Sequence, residues 1–247
     1  LTSFASSFDQ IGVLANSLED TILLFEIIAG YDNKDATSAS QNMKKFHFNK
    51  KNTKKLKIGL PKELLFDGMD SQVKMALNKQ IKKLKNNGFS IVNVSLPNLK
   101  YSISTYYILT TAEASTNLSR FDGVRFGHRA ISDDLEELYV KSRTEGFGEE
   151  VKRRIMLGTF VLSSGYYDSY YMKAQKVRRL ICEDFKRVFN EVDVLITPTS
   201  PILPFKIGDK ITDPLQMYMV DSCTVPMSLA GLPALNIPVG KSTNDLP

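Results

Sequence analysis

Between Gly146 and Arg178 the sequence sets a cation, a carboxylate and four tyrosines at spacings that give the two sides of a helix unlike chemistry. At about 100° per residue, Tyr166, Tyr167, Tyr170 and Tyr171 fall within an arc of about 140°, and Arg154, Val161, Gly165, Asp168 and Met172 line the other side. One side is aromatic and wettable. The other pairs a guanidinium with a carboxylate, and Gly158 and Gly165 would let a second backbone come close, so something polar or tightly packed should lie against it. A surface helix that packs its tyrosines onto a core satisfies the same wheel, and the spacing alone does not separate the two readings.

The elements that must position this segment alternate between helix and strand. Ser17 with Asp20 forms a capping-box start for a helix through Leu18, Ile22, Leu23 and Ile27, ended by Gly30. Leu56–Leu60 reads as a short strand stopped by Pro61, Ser71–Asn86 as a helix stopped by Gly88, and Phe89–Leu96 as a strand before Pro97. Strand, helix, strand in that order is a βαβ unit, so a parallel or mixed sheet is expected. Val192–Thr197 and Ala234–Val239 read as buried strands, each running into a proline-containing turn.

At 43% hydrophobic and 24% charged over 247 residues, the chain has ample material for a core and suits one large domain or two small ones. No apolar run reaches the roughly 20 residues of a membrane span, and the first residues lack the order of a signal peptide. Cys182 and Cys223 sit in apolar surroundings and are expected to be reduced, buried thiols of a reducing compartment. With only His47 and His128 and no cysteine pair at ligand spacing, a zinc site is not expected.

The formal net charge of +5 is local. Seven lysines between Lys44 and Lys57, in a stretch without an acid, exceed it, so the remainder is formally negative. This lysine- and asparagine-rich loop, interleaved with Phe46, His47 and Phe48, could touch nucleic-acid phosphates, with the basic helix around Lys74, Lys79, Lys82, Lys83 and Lys85 extending the patch. A solvated linker has the same composition, and charge does not decide between them.

Four blocks carry a resemblance: Phe4–Gly12, Glu113–Gly127, Gly146–Arg178 and Met217–Pro233. Together, and in consistent order from Leu1 to Pro238, they resemble the amidase-signature family, in particular the ammonia-supplying subunits of tRNA-dependent transamidases. Only residues 40–57 and 98–104 depart freely. The resemblance implies an α/β fold, an α/β/α layered domain around a mixed β-sheet. Residues 1–247 would form the downstream half of that single domain, incomplete in this chain, with 40–57 as the Lys/Asn-rich loop. The family's chemistry uses a Ser-Ser-Lys triad fed by a glycine- and serine-rich loop. Neither serine pair, Ser6-Ser7 or Ser163-Ser164, has the flanking glycines that bring N–H groups to an oxyanion, so no catalytic residue is assigned. An internal fragment without glutaminase activity of its own, and poorly soluble because sheet edges and apolar surface are uncovered, is the expectation.

The implied activity is hydrolysis of glutamine to glutamate and ammonia. The ammonia would pass to a partner that uses ATP and Mg²⁺ to activate and amidate Glu-tRNA(Gln). This chain would belong to the A subunit of such a complex, with the B and C subunits as partners, in a bacterial cytoplasm or an organelle matrix or stroma. No cofactor is expected on this chain. A glutamine zwitterion presents a carboxylate that suits a guanidinium fork and an ammonium that suits a carboxylate. On the family's motif these fall on Arg154 and Asp221, with a tyrosine hydroxyl at Tyr106 or Tyr107, Tyr106 being preferred. A helix-surface arginine, a helix-capping aspartate and core tyrosines remain alternative readings of the same residues. Thr197–Pro201 resembles the turn after a central strand of the family and is read as structural. Another amidase of the family, or a non-catalytic remnant that binds partner subunits or tRNA, stays open at this point.

Overall fold

The computed structural model describes residues 2–36, 38–41, 56–66, 68–207 and 214–246. They gather into two compact units, one of Asp9–Lys54 and one of Leu1–Phe8 with Lys55–Pro247. The lysine-rich loop lies outside the described residues except at positions 40–41 and 56–57.

The smaller unit holds α1 (Leu18–Ile28). Its start is the expected capping box: Ser17 Oγ accepts from the Asp20 N–H at 3.0 Å. The helix ends at Ala29, and Gly30 follows at φ +151°. None of its residues is buried, and Leu23, Ile27 and Ile28 are 59%, 71% and 48% exposed, so its apolar side is open among the described residues.

The larger unit begins its regular structure with β1 (Lys57–Pro61), α2 (Ser71–Asn86) and β2 (Ser90–Val94), the βαβ unit read from the sequence. Asp70 Oδ1 caps α2 by accepting from the Gln72 N–H at 2.7 Å, and Lys83 and Lys85 sit in the last turn, where a cation suits the helix dipole. β1 pairs in parallel with β2 from Lys57 opposite Ser90 to Pro61 opposite Val94. Downstream come α3 (Ser102–Leu118), α4 (Leu135–Gly146), α5 (Glu149–Leu162), α6 (Lys173–Phe189), β3 (Val194–Leu195), α7 (Pro214–Val220) and α8 (Val225–Ala230). β3 joins the other side of β1, also in parallel, giving the order β2-β1-β3. The strand ahead of Thr197–Pro201 is thus at an edge of the described sheet.

Two sequence expectations need correction here. Ala234–Val239 forms no strand: among the described residues it pairs with none, and its Leu235 and Ile237 are 62% and 56% exposed. An apolar run becomes a buried strand only where a neighbouring strand takes up its N–H and C=O groups. Residues 146–178 are not one helix either. α5 stops at Leu162, a turn follows, and Asp168–Met172 is a π-helical turn in which the Met172 N–H donates to the Tyr167 carbonyl at 3.0 Å. A single 100° wheel therefore does not run through the segment, and Asp168 and Gly165 are both exposed.

The core lies where α3, α6 and α8 meet. Leu109, Ile181, Phe185, Val188 and Leu229 are all at most 1% exposed. α3 is buried despite its threonines because their hydroxyls are satisfied inside the helix: Thr110 donates to the Tyr106 carbonyl at 2.8 Å and Thr111 to the Tyr107 carbonyl at 2.6 Å. Phe185→Ala in this core is expected to cost about 3–5 kcal/mol, the penalty of an emptied aromatic site, read as a shift in the urea midpoint of the full-length protein. A midpoint within error of the parent would place Phe185 outside the core.

The thiols differ. Cys223 is buried, and burial raises its pKa above the ordinary thiol value, whereas Cys182 is only half-buried.

Candidate functional site

The N-terminus of α5 opens with Glu149 and Glu150, acids placed where unsatisfied helix N–H groups favour negative charge. One turn on, Arg154 Nε donates to Glu150 Oε1 at 2.9 Å, the i, i+4 order that suits a helix. Arg153 Nη1 donates to the other oxygen, Glu150 Oε2. α5 lies against α3 because Gly158 has no side chain: a Cβ there would meet the Thr111 carbonyl oxygen at 1.9 Å. This is the close approach expected of Gly158. At Gly165 nothing lies within 4 Å, and no such approach occurs.

Close packing of α3 on α5 brings a tyrosine of α3 to Arg154. It is Tyr107, not the preferred Tyr106. The Arg154 guanidinium carbon lies 5.5 Å from the Tyr107 ring centroid and 5.7 Å from that of Phe4, within cation–π range of both. The Tyr107 hydroxyl donates to Asp221 Oδ2 at 3.1 Å. Adjacent residues on a helix point about 100° apart, so the two rings take different directions while meeting edge-on at 5.3 Å. Tyr106 instead sets its ring edge-on to Phe8 at 5.4 Å and packs against the core.

Asp221 arrives at the end of α7, where a 3-10 turn, Asp221–Cys223, begins. Its carboxylate is held by Tyr107 rather than spent on a helix cap, since the Thr224 N–H bonds the Asp221 backbone carbonyl. α7 also supplies Tyr218, which sequence reasoning missed. Its ring stacks on Tyr107 at 4.0 Å, and its hydroxyl donates to Glu150 Oε1 at 3.4 Å. The four residues before Asp221 carried the signal, since Tyr218 stands three positions ahead of it on the helix that leads into its turn.

The electrostatics follow from these contacts. Partial burial, then the negative Asp221 it touches, push the Tyr107 phenol well above its ordinary pKa, so it stays a donor. Burial alone would lower the Arg154 pKa; the hydrogen bond and charge of Glu150 more than offset this and raise it. Burial works against the Glu150 charge as well, and Arg154 and Arg153 together hold its pKa below the ordinary value. The result is a cation and a carboxylate beside one tyrosine, a set able to grip a small molecule carrying both signs of charge.

The serine pairs have other partners. Ser7 Oγ donates to Glu113 Oε1 and accepts from Arg178 Nη1 at 2.9 Å, and Ser163 Oγ donates to the Phe160 carbonyl at 2.8 Å. Both serve to fix the local backbone.

The sequence model of the Amidase family matches residues 1–247. The chain belongs to that family. It is 52% identical to the A subunit of the glutamyl-tRNA(Gln) amidotransferase of Persephonella marina, over 97% of its own length and 50% of that protein's. To the protein of the same name from Chlorobium luteolum it is 51% identical, over 100% of its own length and 52% of the relative's. A crystal structure of the corresponding A subunit from Thermotoga maritima matches with a TM-score of 0.76 at 38% identity, over 98% of this chain and 48% of that one. The structure of a 6-aminohexanoate cyclic dimer hydrolase, 15% identical with a TM-score of 0.67, shares the fold. The chain thus spans about half the length of the curated relatives it matches. Among the described residues, no helix is long and apolar enough to cross a membrane.

Proposed function

We propose that this chain is part of the glutamine-hydrolysing subunit of a glutamyl-tRNA(Gln) amidotransferase. That subunit releases ammonia from glutamine for the conversion of Glu-tRNA(Gln) to Gln-tRNA(Gln). The observation that carries the reading is the gathering of Arg154 and Asp221 about Tyr107, two opposite charges in reach of one side chain. Relatives at about half identity that bear this subunit's name support it.

In this reading Arg154 takes the α-carboxylate of glutamine and Asp221 its α-ammonium, so the amino-acid end is fixed and the side-chain amide is presented to the attacking group. Tyr107 orients Asp221. Within these 247 residues the contribution is binding, not nucleophilic attack. The B and C subunits are the partners, and the one that amidates the tRNA supplies the ATP and Mg²⁺ chemistry.

The full-length protein assembled with those partners is expected to release ammonia from glutamine and, given ATP and Mg²⁺, to yield Gln-tRNA(Gln) from Glu-tRNA(Gln). Ammonia release from other amides but not from glutamine would overturn the assignment.

A further inference from the structure

We infer that Glu150 is a positioning residue for Arg154: it grips the guanidinium by Nε and so leaves the two terminal nitrogens aimed at a substrate carboxylate. The inference rests on the reading of Arg154 as the carboxylate anchor given above.

A guanidinium binds a carboxylate best through a fork of two N–H groups, and an arginine on a helix surface samples many rotamers before it can offer one. Here that freedom is removed on three sides. Glu150 Oε1 accepts from Arg154 Nε at 2.9 Å, and the rings of Phe4 and Tyr107 stand 5.7 and 5.5 Å from the guanidinium carbon. Among the described residues, neither Nη1 nor Nη2 of Arg154 makes a hydrogen bond. The grip is itself held: Arg153 engages Glu150 Oε2, and the Tyr218 hydroxyl approaches Oε1 at 3.4 Å. Tyr218 in turn stacks on Tyr107, which orients Asp221, so the two anchors are linked through one chain of contacts. Asp221 shows the same pattern, one oxygen taken by Tyr107.

An acid in the first turn of a helix also stabilises that helix, which is the structural alternative for Glu150. A double-mutant cycle separates the two roles. In the full-length protein assembled with its partners, Glu150→Ala is expected to raise KM for glutamine about 10–30-fold with kcat within about 3-fold. Glu150→Gln keeps a carbonyl that can accept from Nε and is expected to raise KM by less than about 5-fold. In an Arg154→Ala background, adding Glu150→Ala should change KM by less than about 2-fold, since there is nothing left to position. A KM within about 2-fold of the parent for Glu150→Ala, or the same loss with and without Arg154, overturns the inference. If Arg154→Ala raises KM while Glu150→Ala does not, Glu150 alone is misassigned. If Arg154→Ala leaves KM unchanged, the anchor reading and this inference fall together.

Discussion

Gly158→Val is expected to leave the full-length protein insoluble, and Gly158→Ala to cost about 3 kcal/mol or more. The cause is local and severe. A Cβ at Gly158 would lie 1.9 Å from the Thr111 carbonyl oxygen, 2.6 Å from its carbon and 2.7 Å from Ser115 Cβ. Two of these atoms are backbone of α3, which cannot turn aside as a side-chain tip can. Thr111 is 2% exposed and Ala112 and Ala114 are at most 1%, so α3 has no empty side into which to retreat. Relief would have to come from separating α5 from α3, and that separation draws Arg154 away from Tyr107. Gly165→Ala is the control: nothing lies within 4 Å of its added methyl, and its φ is not in the left-handed region. Thermal melts of the purified full-length variants check this. A soluble valine variant melting with the parent would show that the helices tolerate the wider spacing.

The second large effect is chemical. Asp221→Asn keeps the shape of the side chain and its ability to accept from Tyr107 but removes the charge facing an ammonium. Loss of a charge-assisted contact of this kind is worth about 2–4 kcal/mol, so kcat/KM for glutamine should fall roughly 30- to 1000-fold. The decisive comparison is with glutaramate, glutamine without its α-amine, for which the substitution should matter less than about 5-fold. Arg154→Ala should show the mirror pattern, large for glutamine and small for 4-aminobutanamide, which lacks the carboxylate. Equal losses on glutamine and on the matching truncated amide would mean that neither residue reads the charged end of the substrate.

Much of this arrangement was legible in the sequence where the signal is local. Ser71–Asn86 is followed by Gly88, which adopts φ +81°, and that mark acts within one turn of the helix it delimits. Gly158 was legible as a point of close approach, though the partner backbone was not. The choice between Tyr106 and Tyr107 was not legible, because neighbouring tyrosines have the same composition and differ only in which way α3 faces. That direction is set by Phe8 on one side and Asp221 on the other, both remote from α3 along the sequence. Tyr218 escaped for the same reason: it is ordinary in its own helix and reaches Glu150 only when α7 meets α5, whereas Glu150 stands four residues ahead of Arg154 on α5, a pairing that looks like any surface ion pair of a helix. The break at residues 163–172 was hidden because a π turn leaves the residue pattern helical while moving its period.

That π turn has a geometric consequence of its own. A turn closed by i to i+5 bonding holds about one more amino acid than a turn of α-helix, so the tyrosines ahead of it and α6 behind it are out of phase by about 100°. α6 is clamped by Ile181, Phe185 and Val188, each at most 1% exposed. Upstream of the turn, Tyr166 packs on Phe160 with ring centroids 4.3 Å apart. The turn works as an angular spacer: its one surplus residue lets the chain enter α6 in the phase that the buried core residues require.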